Sequence, residues 1–266
     1  VYRYSPKKDK IEKVTFSPLN SNLNCFISIS TTSNGEVWAS SGGDGLYVRD
    51  TMGRWHKRVL SFSPGEDDMW PSGVVEGKQD IRWVNTSRSL WWIKGEESRP
   101  LMGDFSKQMN HTPISINNMM CDDEYNLWVA TNHGLLRFSP DGTKLDTIKT
   151  VPIQEYTSVA FDGKNNMVVT SSSDIYYVDC KTFEAQRFLY DFSSIGLSGF
   201  NLQGNYISSS GVLFCSTSNG FVMIKPEEEN QQDSLRYLSI SSVHIQKNPL
   251  AKCADYCEWN ERIQSE

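Results

Sequence analysis

The chain has 266 residues, enough to bury a sizeable hydrophobic core without disulfide or metal staples. Its formal net charge is −6, with 26 Lys and Arg against 32 Asp and Glu, so a cationic surface for nucleic acid is not expected. No stretch reaches the roughly 18 continuous apolar residues of a membrane span, and no signal peptide follows Val1. We therefore expect membrane attachment only through regions outside this chain.

The first residues match a later part of the chain. Residues 1–6, V-Y-R-Y-S-P, correspond position for position to residues 135–140, L-L-R-F-S-P. The later segment is the second half of a hairpin pattern. The chain is therefore predicted to begin at the third strand of a repeat unit.

A hairpin pattern recurs along the chain. Its clearest copy, residues 125–140, has apolar runs at 127–130 and 135–138 around a turn. β-Branched and aromatic residues favour extended backbone, and Gly134 tolerates the positive φ of a tight turn. Five copies are anchored at positions spaced by 45, 45, 40 and 46 residues: Trp38, Trp83, Trp128, Val168 and Phe214.

Further strand-like runs flank these hairpins. They precede four hairpins, at 25–29, 114–120, 157–161 and 200–207, and follow two, at 144–150 and 185–190. Four antiparallel strands with a period of about 40 to 50 residues are typical of a β-propeller blade. We predict an all-β fold, a β-propeller of four-stranded antiparallel blades, with five complete repeat units and a partial one.

The end of the chain has a different composition. Residues 226–236 are polar and charged, as in a linker, and residues 237–245 are typical of one more strand. The predicted organisation is a propeller segment at 1–225, a linker at 226–236 and a separate segment at 237–266. That last segment either closes the ring or begins a following domain.

The cysteines and acidic clusters do not predict a metal site. Of six cysteines only Cys253 and Cys257 are close in sequence, either as a local disulfide or as two ordinary thiols. The acidic clusters at 66–68 and 122–124 lack the alternating ligands of a calcium loop, so solvated turns are favoured. We predict neither a metal nor a cofactor.

The best copy resembles a known repeat family. Residues 122–138 read D-x-x-x-x-L-W-V-A-T-x-x-G-L-x-x-F, and residues 35–46 carry a second match. This pattern resembles the regulator-propeller repeats in the periplasmic sensor regions of Bacteroidetes hybrid two-component histidine kinases. In that family seven-bladed propellers precede an immunoglobulin-like domain. The resemblance implies a fragment of a seven-bladed ring, with residues 237–266 as the start of such a domain.

The resemblance also implies a function. It predicts a non-catalytic periplasmic sensor segment that binds a polysaccharide-derived oligosaccharide and controls carbohydrate-utilisation genes. The full-length sensor is then expected to be a homodimer carrying a histidine kinase. The alternatives are a propeller enzyme, such as a lyase or glycan-processing enzyme, and a structural interaction platform. The four histidines are scattered and show no catalytic spacing, which favours binding over catalysis.

Four residues are the candidate ligand contacts. Trp70 follows Asp67 and Asp68 in a loop rich in Gly and Pro, where an exposed indole could stack on a sugar ring. Packing of Trp70 against the propeller is the competing interpretation. Trp92 is the fourth candidate, although its place in a strand favours packing.

Overall fold

The computed structural model describes residues 2–13, 26–41, 45–60, 71–86, 89–102, 114–188, 199–218 and 220–225. Within these ranges the regular structure is β-strand, apart from 3₁₀ turns at Pro6–Lys8 and Lys78–Asp80. None of the helical segments in this part of the chain is long and apolar enough to cross a membrane.

The strands form antiparallel sheets whose spatial order follows chain order. A two-stranded sheet, β1 (Tyr2–Ser5) and β2 (Lys10–Lys13), comes first. Blade 1 consists of β3 (Phe26–Thr31), β4 (Val37–Ser41), β5 (Gly45–Arg49) and β6 (Trp55–Arg58). Blade 2 consists of β7 (Gly73–Glu76), β8 (Ile81–Asn85), β9 (Leu90–Lys94) and β10 (Glu97–Met102).

The remaining blades follow the same plan. Blade 3 consists of β11 (Ile116–Cys121), β12 (Leu127–Thr131), β13 (Gly134–Phe138) and β14 (Leu145–Thr147). Blade 4 consists of β15 (Tyr156–Phe161), β16 (Asn166–Ser171), β17 (Ile175–Asp179) and β18 (Ala185–Arg187). Blade 5 shows β19 (Phe200–Ile207), β20 (Leu213–Thr217) and β21 (Gly220–Ile224) within the described residues.

The repeat register predicted from sequence is confirmed. All five anchor residues lie in the second strand of their blade. Strands β1 and β2 form an antiparallel pair, as the third and fourth strands of a blade do. The predicted runs at 144–150 and 185–190 contain strands of only three residues each, and β14 is exposed along its length. Outer strands have few packing partners, which limits their length.

The linker at 226–236, the segment at 237–266 and the Cys253–Cys257 pair lie outside the described residues.

Hydroxyl side chains fix the turns between second and third strands. Thr131 Oγ1 donates to the Gly134 carbonyl at 2.7 Å and accepts from the His133 amide at 3.1 Å. Gly134 has a φ of 121°, which disfavours any residue with a Cβ. Thr86 and Ser171 make corresponding bonds in blades 2 and 4. The recurrent hydroxyl is therefore a turn-forming residue.

Aspartates fix the turns between first and second strands. Asp122 is 5% exposed, and its Oδ1 accepts from the amides of Glu124 at 3.0 Å and Asn126 at 2.8 Å. Asp162 makes the same turn in blade 4. The acidic cluster at 122–124 is thus a turn, in which Asp122 is buried rather than solvated. The described residues contain no group of three or more His, Cys, Asp or Glu side chains able to hold a metal.

The chain divides into two compact units. Unit 1 comprises Val1–Leu127 and Phe138–Leu145, and unit 2 comprises Trp128–Arg137 and Asp146–Glu266. In unit 1 the first strand of blade 2 approaches those of blades 1 and 3, and in unit 2 the first strands of blades 4 and 5 approach each other. First strands that meet in this way are the inner strands of stacked blades.

Each unit has its own apolar core. In unit 1, Trp38 and Leu46 of blade 1 pack with Val84, Trp91 and Ile93 of blade 2. In unit 2, Val168 and Ile175 of blade 4 pack with Phe200, Leu213 and Cys215 of blade 5. Stacking one blade on the next therefore buries faces that a single sheet would expose.

A charged contact also joins blades 1 and 2. Both carboxylate oxygens of Glu76 lie 2.7 Å from Ser33, one accepting from its amide and the other from its hydroxyl. Arg82, whose side chain is 4% exposed, has nitrogens 3.4 Å from Glu36 Oε2 and 3.7 Å from Glu76 Oε1. A buried guanidinium is thus surrounded by partly buried carboxylates.

Candidate functional site

The predicted ligand contacts fall in two different environments. Trp70, Asp67 and Asp68 lie outside the described residues, so their role stays a prediction. Trp92 is 7% exposed in β9, and the Arg99 guanidinium lies 4.7 Å from its ring centroid. Its buried indole nitrogen has no hydrogen-bond partner among the described residues. A ligand role for Trp92 also stays a prediction, and in this conformation its ring is covered by Arg99.

Strand register explains the position of Trp92. Trp92 is paired with Trp83 on β8 and with Arg99 on β10, so the three side chains lie in one row on one face of blade 2. Trp83 is fully buried. Such a row is typical of packing between blades, where aromatic rings fill the space between sheets.

The described residues bring polar side chains together at one end of blade 4. We call this the loop end, where β15 begins and the β16–β17 turn lies. Tyr156 and Tyr176 make an edge-to-face pair with ring centroids 6.2 Å apart. Burial raises the pKa of Tyr156 to about 12 and also raises the pKa of Tyr176. Both phenols are therefore neutral donors and acceptors at physiological pH.

An amide lies beside this tyrosine pair. The Gln154 side chain lies near both phenolic hydroxyls and acts to lower the pKa of Tyr156 and of Tyr176, against the rise that burial causes. Its buried Nε2 nevertheless has no hydrogen-bond partner of good geometry within the described ranges. A buried donor without a partner costs about 1–3 kcal/mol, so an acceptor brought to this point would be stabilised.

One ion pair belongs to the loop end. Arg187 Nε lies 2.8 Å from Asp174 Oδ1, and Asp174 also accepts from the Ser173 hydroxyl at 2.9 Å. Burial acts to raise the pKa of Asp174, but these hydrogen bonds and the Arg187 charge outweigh it and the pKa is lowered. Asp174 is thus an ionised, already paired carboxylate, which is poorly suited to act as a general acid or base.

A hydrogen-bond network joins blades 4 and 5. The hydroxyls of Thr157 and Thr170 are 2.8 Å apart, and Asn205 Nδ2 donates to Thr170 Oγ1 at 3.1 Å. The Asn205 backbone amide donates to Ser158 Oγ at 3.3 Å. Thr157, Ser158 and Thr170 are buried, whereas the buried Oδ1 of Asn205 has no partner among the described residues. This acceptor can take a hydrogen bond from a ligand or a water.

A bulge of three extra residues in β19 places Asn205 in this network. Phe200 on β19 pairs with Thr217, but the next pair is Asn205 with Cys215, so β19 carries three more residues than its partner there. In blade 4 the corresponding bulge, between Tyr156 and Ser158, contains one extra residue. Bulges often re-aim side chains next to functional sites. The bulge also exposes Leu202, which is 57% accessible.

Sequence reasoning missed the polar site between blades 4 and 5, which consists of Thr157, Ser158, Thr170 and Asn205. The repeat spacing gave no signal of this site, because the 46 residues from Val168 to Phe214 are close to the two spacings of 45. The hydrogen bonds themselves join residues 35 to 47 positions apart, which no local pattern predicts.

The blades define the class of protein. This chain is a β-propeller protein, because its four-stranded antiparallel sheets recur at a period near 45 residues and the first strands of adjacent blades meet. The fold class predicted from sequence is therefore confirmed.

Comparisons with known proteins agree with that class. The profile of the SMP-30/gluconolactonase/LRE-like region family matches residues 81–173. No curated protein matches the sequence. Among similar solved structures is the extracellular domain of a protein described as a hybrid two-component system of B. thetaiotaomicron, with TM-score 0.67 and 14% identity. The match covers 90% of this chain and 35% of that one.

Two further structures extend the comparison. A second extracellular domain described as hybrid two-component, also from B. thetaiotaomicron, has TM-score 0.53 and 14% identity over 86% of this chain and 34% of its own. Virginiamycin B lyase of Staphylococcus aureus has TM-score 0.60 and 12% identity over 77% of this chain and 68% of its own. The chain thus spans about a third of the two-component domains that it resembles. At these identities the likeness shows the fold, and it confirms the resemblance to sensor propellers at that level.

Proposed function

We propose that this chain is a non-catalytic, ligand-binding segment of the periplasmic sensor region of a hybrid two-component regulator. The ligand is an oligosaccharide, bound at the loop end of blades 4 and 5. The structural likeness to two-component extracellular domains supports the sensor role. The segment reaches the membrane through regions outside this chain, and the whole sensor works as a homodimer that carries the kinase.

The unpaired Oδ1 of Asn205 is the single observation that carries the choice of site. It is a buried acceptor within a network of neutral hydroxyl and amide groups, next to solvent-exposed residues of the β19 bulge. A sugar hydroxyl is both donor and acceptor, so it can satisfy Asn205 Oδ1.

The electrostatics of the site favour a neutral ligand. Asp174 and Arg187 are paired with each other, and residues 150–225 contain no histidine. A charged ligand would have to compete with the existing ion pair. A neutral sugar that binds one conformation of the sensor more tightly than another would shift the sensor towards that conformation, which is the linkage that signalling needs.

Isothermal titration calorimetry of the full 266-residue chain against a panel of neutral oligosaccharides tests the proposal. For a sugar that binds, Asn205→Ala should weaken affinity about tenfold or more, since a lost buried hydrogen bond costs about 1–3 kcal/mol. Asn166→Ala is the matched control, because Asn166 is in the same unit but its Nδ2 donates to Asp162 at the opposite end of blade 4. We expect the control to bind as the parent does.

Two results would count against the proposal. One is that no oligosaccharide in the panel binds, and the other is that Asn205→Ala binds with unchanged affinity. Trp70→Ala is informative in the same assay. If it alone abolishes binding, the sugar lies at the loop predicted from sequence rather than at the polar site.

A propeller enzyme is the second candidate. It is favoured by the family profile over residues 81–173 and by the lyase among the similar structures. Incubating the chain with the same oligosaccharides and analysing the products separates the two functions. We expect unchanged sugars, and cleavage or elimination products would favour the enzyme.

A further inference from the structure

The turn between β5 and β6 of blade 1 presents a thioether to solvent. Met52, in the middle of this turn, is 76% exposed. The other methionines whose surroundings are described are less accessible, because Met119 and Met167 are buried and Met120 and Met223 are half-buried. An oxidant must reach the sulfur to react with it, so Met52 is the described methionine most open to oxidation.

The backbone of this turn is fixed by three hydrogen bonds. The Gly53 amide donates to the Asp50 carbonyl and the Asp50 amide donates to the Arg54 carbonyl, both at 2.9 Å. The Arg54 amide donates to Asp50 Oδ1 at 2.8 Å. Gly53 has a φ of 85°, which suits a residue without a Cβ. Met52 therefore starts from a fixed backbone, although its side chain is exposed.

A guanidinium group contacts the exposed sulfur. Arg54 Nη2 donates to Met52 Sδ at 3.3 Å. The same guanidinium is held by Asp50, because Arg54 Nε lies 3.0 Å from Asp50 Oδ2. The backbone hydrogen bond from Arg54 is the main cause that lowers the pKa of Asp50 to about 2. The carboxylate is therefore ionised at neutral pH and keeps the guanidinium beside the sulfur.

This contact makes the two lone pairs of the sulfur unequal. Oxidation at one lone pair or at the other gives opposite epimers of methionine sulfoxide. The hydrogen bond from Arg54 occupies one lone pair, so an oxidant that approaches from solvent reaches the other. In a side chain without such a donor, both lone pairs are open and both epimers form.

We propose that Met52 is an oxidation site at which Arg54 selects one sulfoxide epimer. The oxidant is hydrogen peroxide. The free lone pair of the sulfur attacks one peroxide oxygen, and the sulfur–oxygen bond forms as the oxygen–oxygen bond breaks. The proton on the transferred oxygen passes to the departing hydroxide, which leaves as water. The sulfur is oxidised by two electrons and the peroxide is reduced by the same two.

The product defines a class of enzyme that can reverse the reaction. Methionine sulfoxide reductases are each specific for one epimer. A single epimer at Met52 is therefore restored by one class of reductase and not by the other. The exposed turn leaves the sulfoxide open to such an enzyme. The proposal does not depend on oligosaccharide binding.

Limited treatment of the full chain with hydrogen peroxide, followed by peptide mass spectrometry, measures which methionines gain oxygen. Met52 should be oxidised at least about fivefold faster than the four buried or half-buried methionines, which react only when the fold opens locally. Reductases specific for the S and for the R epimer then measure the epimer ratio. One of the two should restore at least about three-quarters of the oxidised Met52.

Two arginine variants separate the contact from the general charge of the turn. Arg54→Leu removes the donor and should give the two epimers in nearly equal amounts. Arg49→Leu is the matched control, because Arg49 Nη2 lies 2.8 Å from the Cβ position of Gly53 but makes no hydrogen bond to Met52 within the described ranges. The control should keep the parent ratio. Melting temperatures of both variants show whether they are folded.

Four results would overturn the proposal. The first is that Met52 is oxidised no faster than the buried and half-buried methionines. The second is that the parent gives equal amounts of the two epimers. The third is that Arg54→Leu keeps the parent ratio, and the fourth is that Arg49→Leu loses it, since selection would then come from charge alone.

Discussion

At two positions, Gly77 and Gly204, a neighbouring side chain leaves no room for a Cβ. A Cβ at Gly77 would lie 2.6 Å from the Trp83 indole nitrogen, and one at Gly204 would lie 2.1 Å from Ser216 Oγ. Gly77 has a φ of −103°, which any residue can adopt, so the requirement there is steric and not conformational. Close packing of a neighbouring side chain, rather than a turn, therefore selects these glycines.

Gly204→Ala should destabilise the chain by about 1–3 kcal/mol, because the added methyl group overlaps Ser216 and touches the Asn201 carbonyl. Chemical denaturation measures the change. Ser216→Gly in the same chain should recover part of the loss by removing the closest atoms. Gly163→Asn is the control, since nothing lies within 4 Å of its Cβ position and Asn tolerates its φ of 75°. Equal stabilities of Gly204→Ala and the parent would contradict this account.

At the scale of the element, blade 2 departs from the other blades. Arg82 precedes the anchor Trp83, where the other blades have an apolar residue: Val37, Leu127, Met167 and Leu213. Glu76 ends the first strand and holds the turn at Ser33 in blade 1. A polar contact thus occupies a position at which the repeat otherwise uses apolar packing.

Arg82→Met should cost about 3–5 kcal/mol, because removing one partner of a buried charge cluster leaves the others uncompensated. Arg82→Met combined with Glu76→Thr, which restores residues of the kind found in other blades, should cost less than the sum of the single changes. A double-mutant cycle in urea should give a coupling of about 0.5–3 kcal/mol. Additive effects would show that Arg82 and Glu76 do not act together.

At the scale of the whole molecule, several carboxylates have depressed pKa values. A backbone hydrogen bond from Arg54 lowers the pKa of Asp50 to about 2, and the Ser139 hydroxyl leads a set of donors that lower that of Asp141 to about 2. The pKa of Asp174 is also lowered. Each folded value lies below the unfolded value of about 3.9. The stability that these groups contribute is therefore present above pH ~4 and lost as the pH falls towards ~2.

The melting temperature should accordingly fall as the pH is lowered from about 4 to about 2. Asp50→Asn combined with Asp141→Asn should lower the melting temperature at neutral pH slightly and flatten its decline in acid. The effect is small because Asp141 is exposed and Asp50 is only partly buried. Thermal denaturation from pH 2 to pH 7 measures it, with Gly163→Asn expected to keep the parent slope. A parent whose melting temperature is constant down to pH 2 would rule out this contribution.

Much of the fold could be predicted because a blade is a local object. The four strands of a blade and their turns occupy about 45 consecutive residues, so Trp38, Trp83 and Trp128 mark equivalent positions by spacing alone. The polar site could not be predicted in this way. Asn205 meets Ser158 and Thr170 only because blades 4 and 5 stack and β19 bulges.

By itself, the sequence determined the propeller repeat, its register and the partial unit at the start. These follow from hydrophobic periodicity and turn chemistry, which act over a few residues. Only the tertiary structure decided that Trp92 is covered by Arg99 and that Asn205 keeps an unpaired buried oxygen. Burial and hydrogen bonding between blades depend on which faces meet, and that is settled by packing between residues far apart in the chain.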